Sequence, residues 1–325
     1  MVSPKNIFLI RLKSIGDVVL TLPAVSVLRR NFPEAKITFL TSEENLSLLR
    51  GFRDVNESFG LDRSALRGGH PVKMAGELFR LLRRLRNGKF SLAVDFQSNG
   101  ESAWLAWLTG ATQRWGVVQK SARRRAYTSS LDHQPQLHAA ESHLALLRHC
   151  GLGTGEVSNE FVLPTDALDA ARTFLAAHKF TSDRPVLFVQ PFTSTPAKDW
   201  PLENFLNLAR HWQSRGWRVL FGGGPGDRAA LEPVRAAGFA VSAGVPLLVT
   251  GGLMQLAALT VGGDTGALHL AVAQGKRVVM LMNNNWPGHP HPFQHPDWVI
   301  VPPDNQTIAK IKFATVIAAC EQALN

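Results

Sequence analysis

Residues 6–17 read Asn-Ile-Phe-Leu-Ile-Arg-Leu-Lys-Ser-Ile-Gly-Asp, an apolar run that ends in a short polar loop with one glycine. The run has the length and composition of a buried β-strand, and a helical pattern follows it at about 17–31. Pro23 lies inside that helix and should kink it. A strand–loop–helix unit of this kind is typical of an α/β fold with a parallel sheet.

The same alternation of short apolar runs and helical patterns continues along most of the chain. Strands are predicted near 6–12, 36–41, 55–59, 91–95 and 113–117, and again near 186–190, 217–222, 239–242, 260–263 and 277–282. Glycines and prolines are frequent between the two series, at 151–185, which marks a passage between domains. We therefore place one Rossmann-like domain at 1–170, a second at 171–307 and a final helix at 308–325.

Composition sets further bounds on the protein. The chain has 325 residues, 45% of them apolar, which is enough for two packed cores. No apolar run approaches the length of a membrane-spanning helix, and the N-terminal segment does not read as a signal peptide, so we expect a cytoplasmic protein. Its net charge of +10 favours anionic partners without choosing among phosphates, nucleic acid and acidic lipids. Cys150 and Cys320 lack metal or redox spacing and are expected to be core thiols.

The loop Lys13-Ser14-Ile15-Gly16-Asp17 follows the first strand, where ligands bind in open parallel sheets. The start of a helix would hold the Asp17 side chain ionised. A carboxylate in this place can accept the proton of an attacking sugar hydroxyl. Asp is also common at helix N-termini, where it caps the helix without any catalytic role. Both interpretations of Asp17, catalytic base and helix cap, stay open.

A second loop carries the side chains that a diphosphate requires. It contains Thr193, Ser194, Thr195 and Lys198, and it runs from a strand into a helix that begins near Pro201. Hydroxyl groups, backbone N–H groups and one mobile positive charge can together stabilise a departing nucleotide. Taken singly, Lys198 could be a solvated lysine and the hydroxyl residues ordinary loop residues.

Two further loops follow strands in the second half. Gly222 to Asp227 is a glycine-rich turn, but Pro225 interrupts it and the acidic residue of a dinucleotide site is missing about 20 residues further on. The loop Asp264-Thr265-Gly266, with His269 one turn later, could hold sugar hydroxyls and phosphate at a helix start. An ordinary helix cap with a structural histidine would give the same pattern.

Taken together, these segments resemble glycosyltransferase family 9, the ADP-heptose:lipopolysaccharide heptosyltransferases. The resemblance rests on 8–17 with Thr21 to Ala24, on Lys198 to Phe205, and on Asp264 to Gly266 with His269 to Ala271. It implies the GT-B architecture, in which two Rossmann-like domains face each other across a cleft. It also implies transfer of a heptose from ADP-heptose to a lipopolysaccharide inner-core acceptor, with inversion and without a metal or other cofactor.

The resemblance also implies a role for each motif position. The first domain would bind the acceptor, the second the nucleotide sugar, and the last helix would pack back on the first domain. Asp17 would be the catalytic base and Lys198 a second catalytic residue. Donor binding is assigned to Thr193, Ser194, Thr195, Gly224, Asp227, Asp264, Thr265, Gly266 and His269. Acceptor binding is assigned to Lys13, Ser14, Gly16, Lys120, Arg123 and Arg124.

One segment departs from the family pattern. Asn283 to Gly288 stands where the family usually has a Gly-Pro-Thr type of turn, and His289, His291 and His295 follow. Three close histidines suggest a metal, but the prolines between them favour a surface loop, so we predict no metal site.

The expected partners are a nucleotide-diphosphate sugar, the anionic lipopolysaccharide core and, peripherally, the inner face of the cytoplasmic membrane. Nucleic acid is not expected. Two other functions stay open: a nicotinamide-dependent oxidoreductase, because of the α/β pattern and the glycine loop, and a non-catalytic nucleotide-sugar-binding protein.

Overall fold

The chain forms two α/β units. The computed structural model describes residues 3–68, 70–284, 286–303 and 307–325. Its contacts separate a unit Met1–Phe161 from a unit Val162–Asn325, whereas the sequence analysis drew the boundary at 170. Each unit contains its own six-stranded sheet. The prediction of an α/β fold with two Rossmann-like domains is confirmed.

The first sheet is parallel throughout, with neighbouring strands in the order β3-β2-β1-β4-β5-β6. Its strands are β1 (Asn6–Ile10), β2 (Lys36–Ser42), β3 (Glu57–Leu61), β4 (Leu92–Asp95), β5 (Gln113–Val118) and β6 (Ser129–Asp132). The chain order reverses direction between β1 and β4, and ligands bind beyond the carboxyl ends of strands at such a switch point.

The helices of the first unit are α1 (Ile15–Val19), α2 (Leu22–Asn31), α3 (Arg63–Arg67), α4 (Pro71–Asn87), α5 (Gly100–Leu108) and α6 (Ala139–His149). Residues Glu43–Gly51 and Ser121–Ala126 form 3-10 turns. The predicted helix at 17–31 is divided between α1 and α2. Pro23 is the second residue of α2, where its missing N–H leaves no hydrogen bond unmade, so the proline marks a break rather than a kink.

The second sheet is also parallel, in the order β12-β11-β10-β7-β8-β9. Its strands are β7 (Val186–Gln190), β8 (Arg218–Phe221), β9 (Ala240–Val241), β10 (Leu259–Gly263), β11 (Val278–Leu281) and β12 (Val299–Ile300). Read from β9, this is the strand order of the first sheet. The switch point of this unit lies between β7 and β10.

The helices of the second unit are α7 (Thr165–Ala177), α8 (Leu202–Ser214), α9 (Glu232–Ala236), α10 (Leu247–Leu256), α11 (Gly266–Ala273) and α12 (Phe313–Leu324). The buried residues of α12, Val316 and Cys320, lie in one apolar core with Val261 of β10 and Leu281 of β11. The apolar side of this helix therefore covers the second sheet. Its predicted packing on the first domain stays a prediction.

Both cysteines are buried and free, as expected of core thiols. Burial raises the pKa of the Cys320 thiol to about 12. Within the described ranges, no helix has the length and apolar character needed to span a membrane.

Candidate active site

In the first unit, the loops after β1 and β4 are joined by hydrogen bonds at the switch point. The Gln97 side chain, just after β4, accepts hydrogen bonds from Leu12 N (2.9 Å) and Lys13 N (3.2 Å). Arg11 donates from its guanidinium to the backbone oxygen of Phe96. The backbone that leads into Asp17 is therefore fixed by the neighbouring strand end.

The Asp17 carboxylate is held through one of its two oxygens. Its Oδ2 accepts hydrogen bonds from Ser14 N (2.9 Å) and Ser14 Oγ (3.0 Å), and it lies 2.8 Å from Arg11 Nη2. Among the residues that the structure describes, none donates a hydrogen bond to Oδ1. The carboxylate thus caps the start of α1 and still keeps one oxygen for a substrate.

The surroundings of Asp17 keep it ionised. Burial acts to raise the pKa of Asp17, but the charge of Arg11 and the hydrogen bonds from Ser14 and Arg11 lower it below its ordinary value. A general base must be deprotonated before it can accept a proton, so this side chain is suited to the role. Its role as the catalytic base nevertheless stays a prediction.

Buried polar groups support this loop from within the unit. The His143 ring packs against Phe96, and its Nδ1 lies 3.3 Å from the backbone oxygen of Leu20. Burial lowers the pKa of His143 to about 3, so the ring is neutral at neutral pH. Asp95 is fully buried, and burial raises its pKa, while the Tyr127 hydroxyl donates a hydrogen bond to it. The sequence analysis assigned none of these residues a role.

The basic residues assigned to the acceptor follow β5, at the same carboxyl edge of the sheet as Asp17. Lys120 is exposed, and Arg123 donates a hydrogen bond to the backbone oxygen of Ser98 (3.1 Å), in the loop after β4. Arg124 forms an ion pair with Asp132, which reduces its free charge.

The other residues assigned to the acceptor lie in the loop after β1. Lys13 and Ser14 are exposed there, whereas Gly16 is buried. The acceptor role of all six residues stays a prediction.

In the second unit, three predicted site residues come together at the switch point. Lys198 Nζ lies 3.2 Å from Asp264 Oδ2, and His269 Nε2 lies 3.3 Å from Asp264 Oδ1. Burial acts to raise the pKa of Asp264, but the hydrogen bond and charge of His269 and the ammonium of Lys198 lower it below its ordinary value. The side chain of Asp264 is 12% exposed and that of Lys198 42%, so only the lysine has freedom to move toward a ligand.

The hydroxyl loop is placed beside this group. Thr193 N donates to Asp199 Oδ1 (2.8 Å), and the Thr193 hydroxyl donates to the Thr195 backbone oxygen (2.9 Å), which leaves Ser194 and Thr195 exposed. The loop is also held by Asn283, which donates from Nδ2 to the Ala197 backbone oxygen (3.2 Å). The sequence analysis did not identify Asp199 or Asn283 as the supports of this loop.

Two further residues predicted to bind the donor, Asp227 and Thr265, already form hydrogen bonds within their own turns. The Asp227 carboxylate accepts a hydrogen bond from Gly224 N (2.7 Å), in the turn after β8. The Thr265 hydroxyl accepts one from Leu268 N (3.4 Å) and caps α11, which begins at Gly266. These contacts explain the residues as local caps, so their role in donor binding stays a prediction.

The histidine-rich segment takes part in packing. His295 stacks on Trp298 with ring centroids 3.7 Å apart, and the Arg277 guanidinium lies 4.8 Å from the centre of the same indole. In the described part of the chain, no group of three or more His, Cys, Asp or Glu side chains is placed to hold a metal ion.

A family profile and the curated relatives point to one family. The profile of "Glycosyltransferase family 9 (heptosyltransferase)" matches residues 78–315. Lipopolysaccharide heptosyltransferase 3 of Escherichia coli is 23% identical over 278 residues, which cover 82% of this chain and 79% of that protein.

Solved structures of the same family share the fold over almost the whole chain. A glycosyl transferase family 9 protein from Veillonella parvula has a TM-score of 0.84 at 21% identity, covering 98% of this chain and 97% of its own. The E. coli heptosyltransferase WaaC with ADP-2-deoxy-2-fluoro heptose has a TM-score of 0.77 at 19% identity, covering 98% and 99%. The predicted GT-B fold is therefore confirmed, and the chain belongs to glycosyltransferase family 9, the heptosyltransferases.

Proposed function

We propose that this glycosyltransferase moves a heptose from ADP-heptose to an acceptor in the inner core of lipopolysaccharide, with inversion at the anomeric carbon. The observation that carries the proposal is the Asp17 carboxylate, which is fixed through Oδ2, while its Oδ1 accepts no hydrogen bond from the part of the chain that the structure describes. The similar proteins support the choice of substrates, because one is named for lipopolysaccharide and another is solved with an ADP-heptose analogue.

The reaction then requires one displacement. An acceptor hydroxyl oxygen forms a bond to the anomeric carbon of the donor, on the face opposite the diphosphate. The bond from that carbon to the phosphate oxygen breaks, and ADP leaves with the electron pair. Asp17 Oδ1 takes the proton of the acceptor hydroxyl as the attack proceeds.

The second unit would hold the donor. Lys198 can exchange its contact with Asp264 for the diphosphate, where its charge offsets the negative charge that develops as ADP departs. The exposed hydroxyls of Ser194 and Thr195 and the N–H groups at the start of α11 would add hydrogen bonds. Asp264, held by His269, is then available to the sugar hydroxyls. This account uses no metal and no other cofactor.

The first unit would hold the acceptor. The exposed Lys13 and Lys120, together with Arg123, supply positive charge at the carboxyl edge that contains Asp17, which suits a phosphorylated or Kdo-bearing sugar. Such an acceptor is joined to a lipid, so we place the enzyme in the cytoplasm, peripherally at the inner face of the inner membrane. Nucleic acid is not a proposed partner.

The proposal is tested by Asp17→Asn, which keeps the shape of the side chain but removes the base. ADP release in the presence of acceptor should fall by about 10²–10⁴-fold, the usual contribution of a general base. The Kd of ADP, measured by isothermal titration calorimetry, should stay unchanged because the donor residues lie in the second unit.

Asp183→Asn is a matched control, since Asp183 is exposed and precedes β7, at the end of that strand opposite the hydroxyl loop. It should turn over like the wild-type enzyme. Normal turnover by the Asp17→Asn variant would remove this residue from the mechanism.

A further inference from the structure

The exposed face of α5 carries two tryptophan side chains. Trp104 and Trp107 are 53% and 56% exposed, and their spacing of three residues places them on one face of the helix. The opposite face, with Ala103, Leu105 and Ala106, is buried in the core of the first unit. An ordinary surface helix carries polar side chains on its outer face, so this face requires an apolar partner.

The neighbouring helix α4 has an outer face of mixed character. Val72 is 85% exposed and Phe79 is 67% exposed. Steps of seven, four and three residues lead from Val72 through Phe79 and Arg83 to Arg86, so all four lie on one side of the helix. Arg83 and Arg86 are both exposed, and neither forms an ion pair with a described residue. The inner face carries the buried Glu77, Leu81 and Leu85.

Both helices cover the same face of the first sheet, because Leu81 and Leu85 of α4 share one core cluster with Ala103 and Leu105 of α5. A salt bridge between Arg63 of α3 and Glu101 of α5 (3.0 Å) also links this region. The outward side chains of the two helices form what we call the α4–α5 surface: Val72, Phe79, Arg83, Arg86, Trp104 and Trp107.

We propose that the α4–α5 surface rests on an anionic lipid bilayer. Tryptophan and phenylalanine favour the boundary between headgroups and acyl chains, and arginine on the same face binds anionic headgroups. Charge complementarity favours this partner over a second copy of the chain. A two-fold contact would place Arg83 and Arg86, which form no ion pair with a described residue, against the same arginines of the other copy, in a protein of net charge +10.

The surface continues toward the predicted acceptor site. α5 begins at Gly100, two residues after Ser98, whose backbone oxygen accepts the hydrogen bond from Arg123. A bilayer under α5 would therefore bring lipid-linked acceptors to the basic turn after β5. The inference rests on the proposed function for its setting, since it explains how the enzyme meets a lipid-linked acceptor.

The test is sedimentation of the full chain with sucrose-loaded vesicles of phosphatidylglycerol mixed with phosphatidylcholine, and of phosphatidylcholine alone. We expect binding to the anionic vesicles that weakens with salt. The double variant Arg83→Gln with Arg86→Gln should bind them about 30-fold more weakly. The double variant Trp104→Gln with Trp107→Gln should lose about ten-fold or more.

Two controls remove exposed side chains of similar kind from the second unit. Trp286→Gln removes an exposed tryptophan from the second unit, and Lys310→Gln with Lys312→Gln removes two exposed charges there. Both should bind vesicles like the wild type, and the surface variants should keep the wild-type Tm because their side chains are exposed. Vesicle binding that the surface variants leave unchanged would overturn the inference.

Light scattering could also overturn the inference. If the wild type is a dimer and the tryptophan double variant is a monomer, a second copy of the chain covers the α4–α5 surface. Transfer to a delipidated acceptor, measured without vesicles, separates the two proposals. If the wild-type enzyme does not transfer the sugar to this acceptor, the proposed function is contradicted. If transfer occurs but the enzyme does not bind vesicles, only the proposed bilayer contact is contradicted.

Discussion

At the scale of single residues, the reactivity of Asp17 depends on Arg11. The guanidinium pairs with the carboxylate, donates to the Phe96 backbone oxygen and leaves its Nε buried without a partner among the described residues. A buried cation with an unsatisfied donor costs free energy, so a stabilising role alone explains it poorly. Its contribution is better described as electrostatic, because it keeps a largely buried carboxyl group ionised.

The substitution Arg11→Gln should therefore change the pH dependence of the enzyme. Without the cation, burial would raise the pKa of Asp17. The base works only when ionised, so activity is lost as the pH falls through that pKa, and the acid limb of kcat/KM should move to higher pH. A pH–rate profile measures this shift.

The conservative change Arg11→Lys retains a positive charge and should move the acid limb less. A mere loss of structure would lower activity at every pH by the same factor. An acid limb that stays in place in Arg11→Gln would contradict the proposed link between Arg11 and the base.

At the scale of elements, the site of the second unit depends on the close approach of β7 and β10. Gly262 pairs with Gln190, and a Cβ at Gly262 would lie 2.4 Å from the Gln190 backbone oxygen. A Cβ at Gly263 would lie 2.5 Å from the Thr193 side chain. The two glycines at the end of β10 therefore let the hydroxyl loop pack beside Asp264.

We predict that Gly262→Ala destabilises the protein by about 1–3 kcal/mol, the usual cost of overpacking, since a strand backbone cannot move aside freely. Urea unfolding measures this loss. The Kd of ADP should rise as well, because the hydroxyl loop begins where β7 ends.

Gly153→Ala is the matched control, because a Cβ at Gly153 has no atom within 4 Å and the residue lies outside every predicted site. It should leave both quantities close to those of the wild type. Equal stability of the two variants would show that β7 and β10 have room that the structure does not indicate.

The interior strands could be predicted from sequence because each is a short apolar run between helices. The edge strand β6, Ser129–Asp132, was not predicted, since its sequence Ser-Ser-Leu-Asp lacks such a run. The sequence pattern at 226–237 also predicts a helix, but only the short α9 forms there, because Pro225 and Asp227 start a separate 3-10 turn. Apolar periodicity therefore predicts strands that contain an apolar run, at the edge of a sheet as well as inside it. It misses a polar edge strand such as β6 and the shortening of a helix by a local turn.

The candidate site divides in the same way. Asp17, Lys198, Asp264 and His269 were predicted because each follows a strand and has chemistry suited to a sugar nucleotide. Their supports act through contacts between segments far apart in sequence: Gln97 with Leu12, Asn283 with Ala197, and Arg11, which also pairs with Asp17, with Phe96. Such contacts depend on which strands are neighbours, and the apolar pattern does not specify that order.

At the scale of the whole molecule, one strand order is used twice, and each copy carries different chemistry at its switch point. The first unit holds a fixed carboxylate with basic residues near it. The second holds an ion-paired lysine, a hydroxyl loop and the start of α11. This division favours the proposal that the second unit binds ADP, which can be tested without any acceptor.

We expect ADP to raise the Tm of the full chain, because a ligand that binds only the folded state stabilises it by about 2.7 kcal/mol at one hundred times its Kd. NAD and NADP should have a smaller effect, since no acidic residue follows the turn after β8 at the spacing of a dinucleotide site, about 20 residues further on. Hydrogen exchange with mass spectrometry locates the ligand. With ADP, we expect slower exchange in 193–199 and 264–269 and unchanged exchange in 13–17. Protection of 13–17 alone would reverse the roles of the two units. A larger rise in Tm with NAD than with ADP would favour an oxidoreductase.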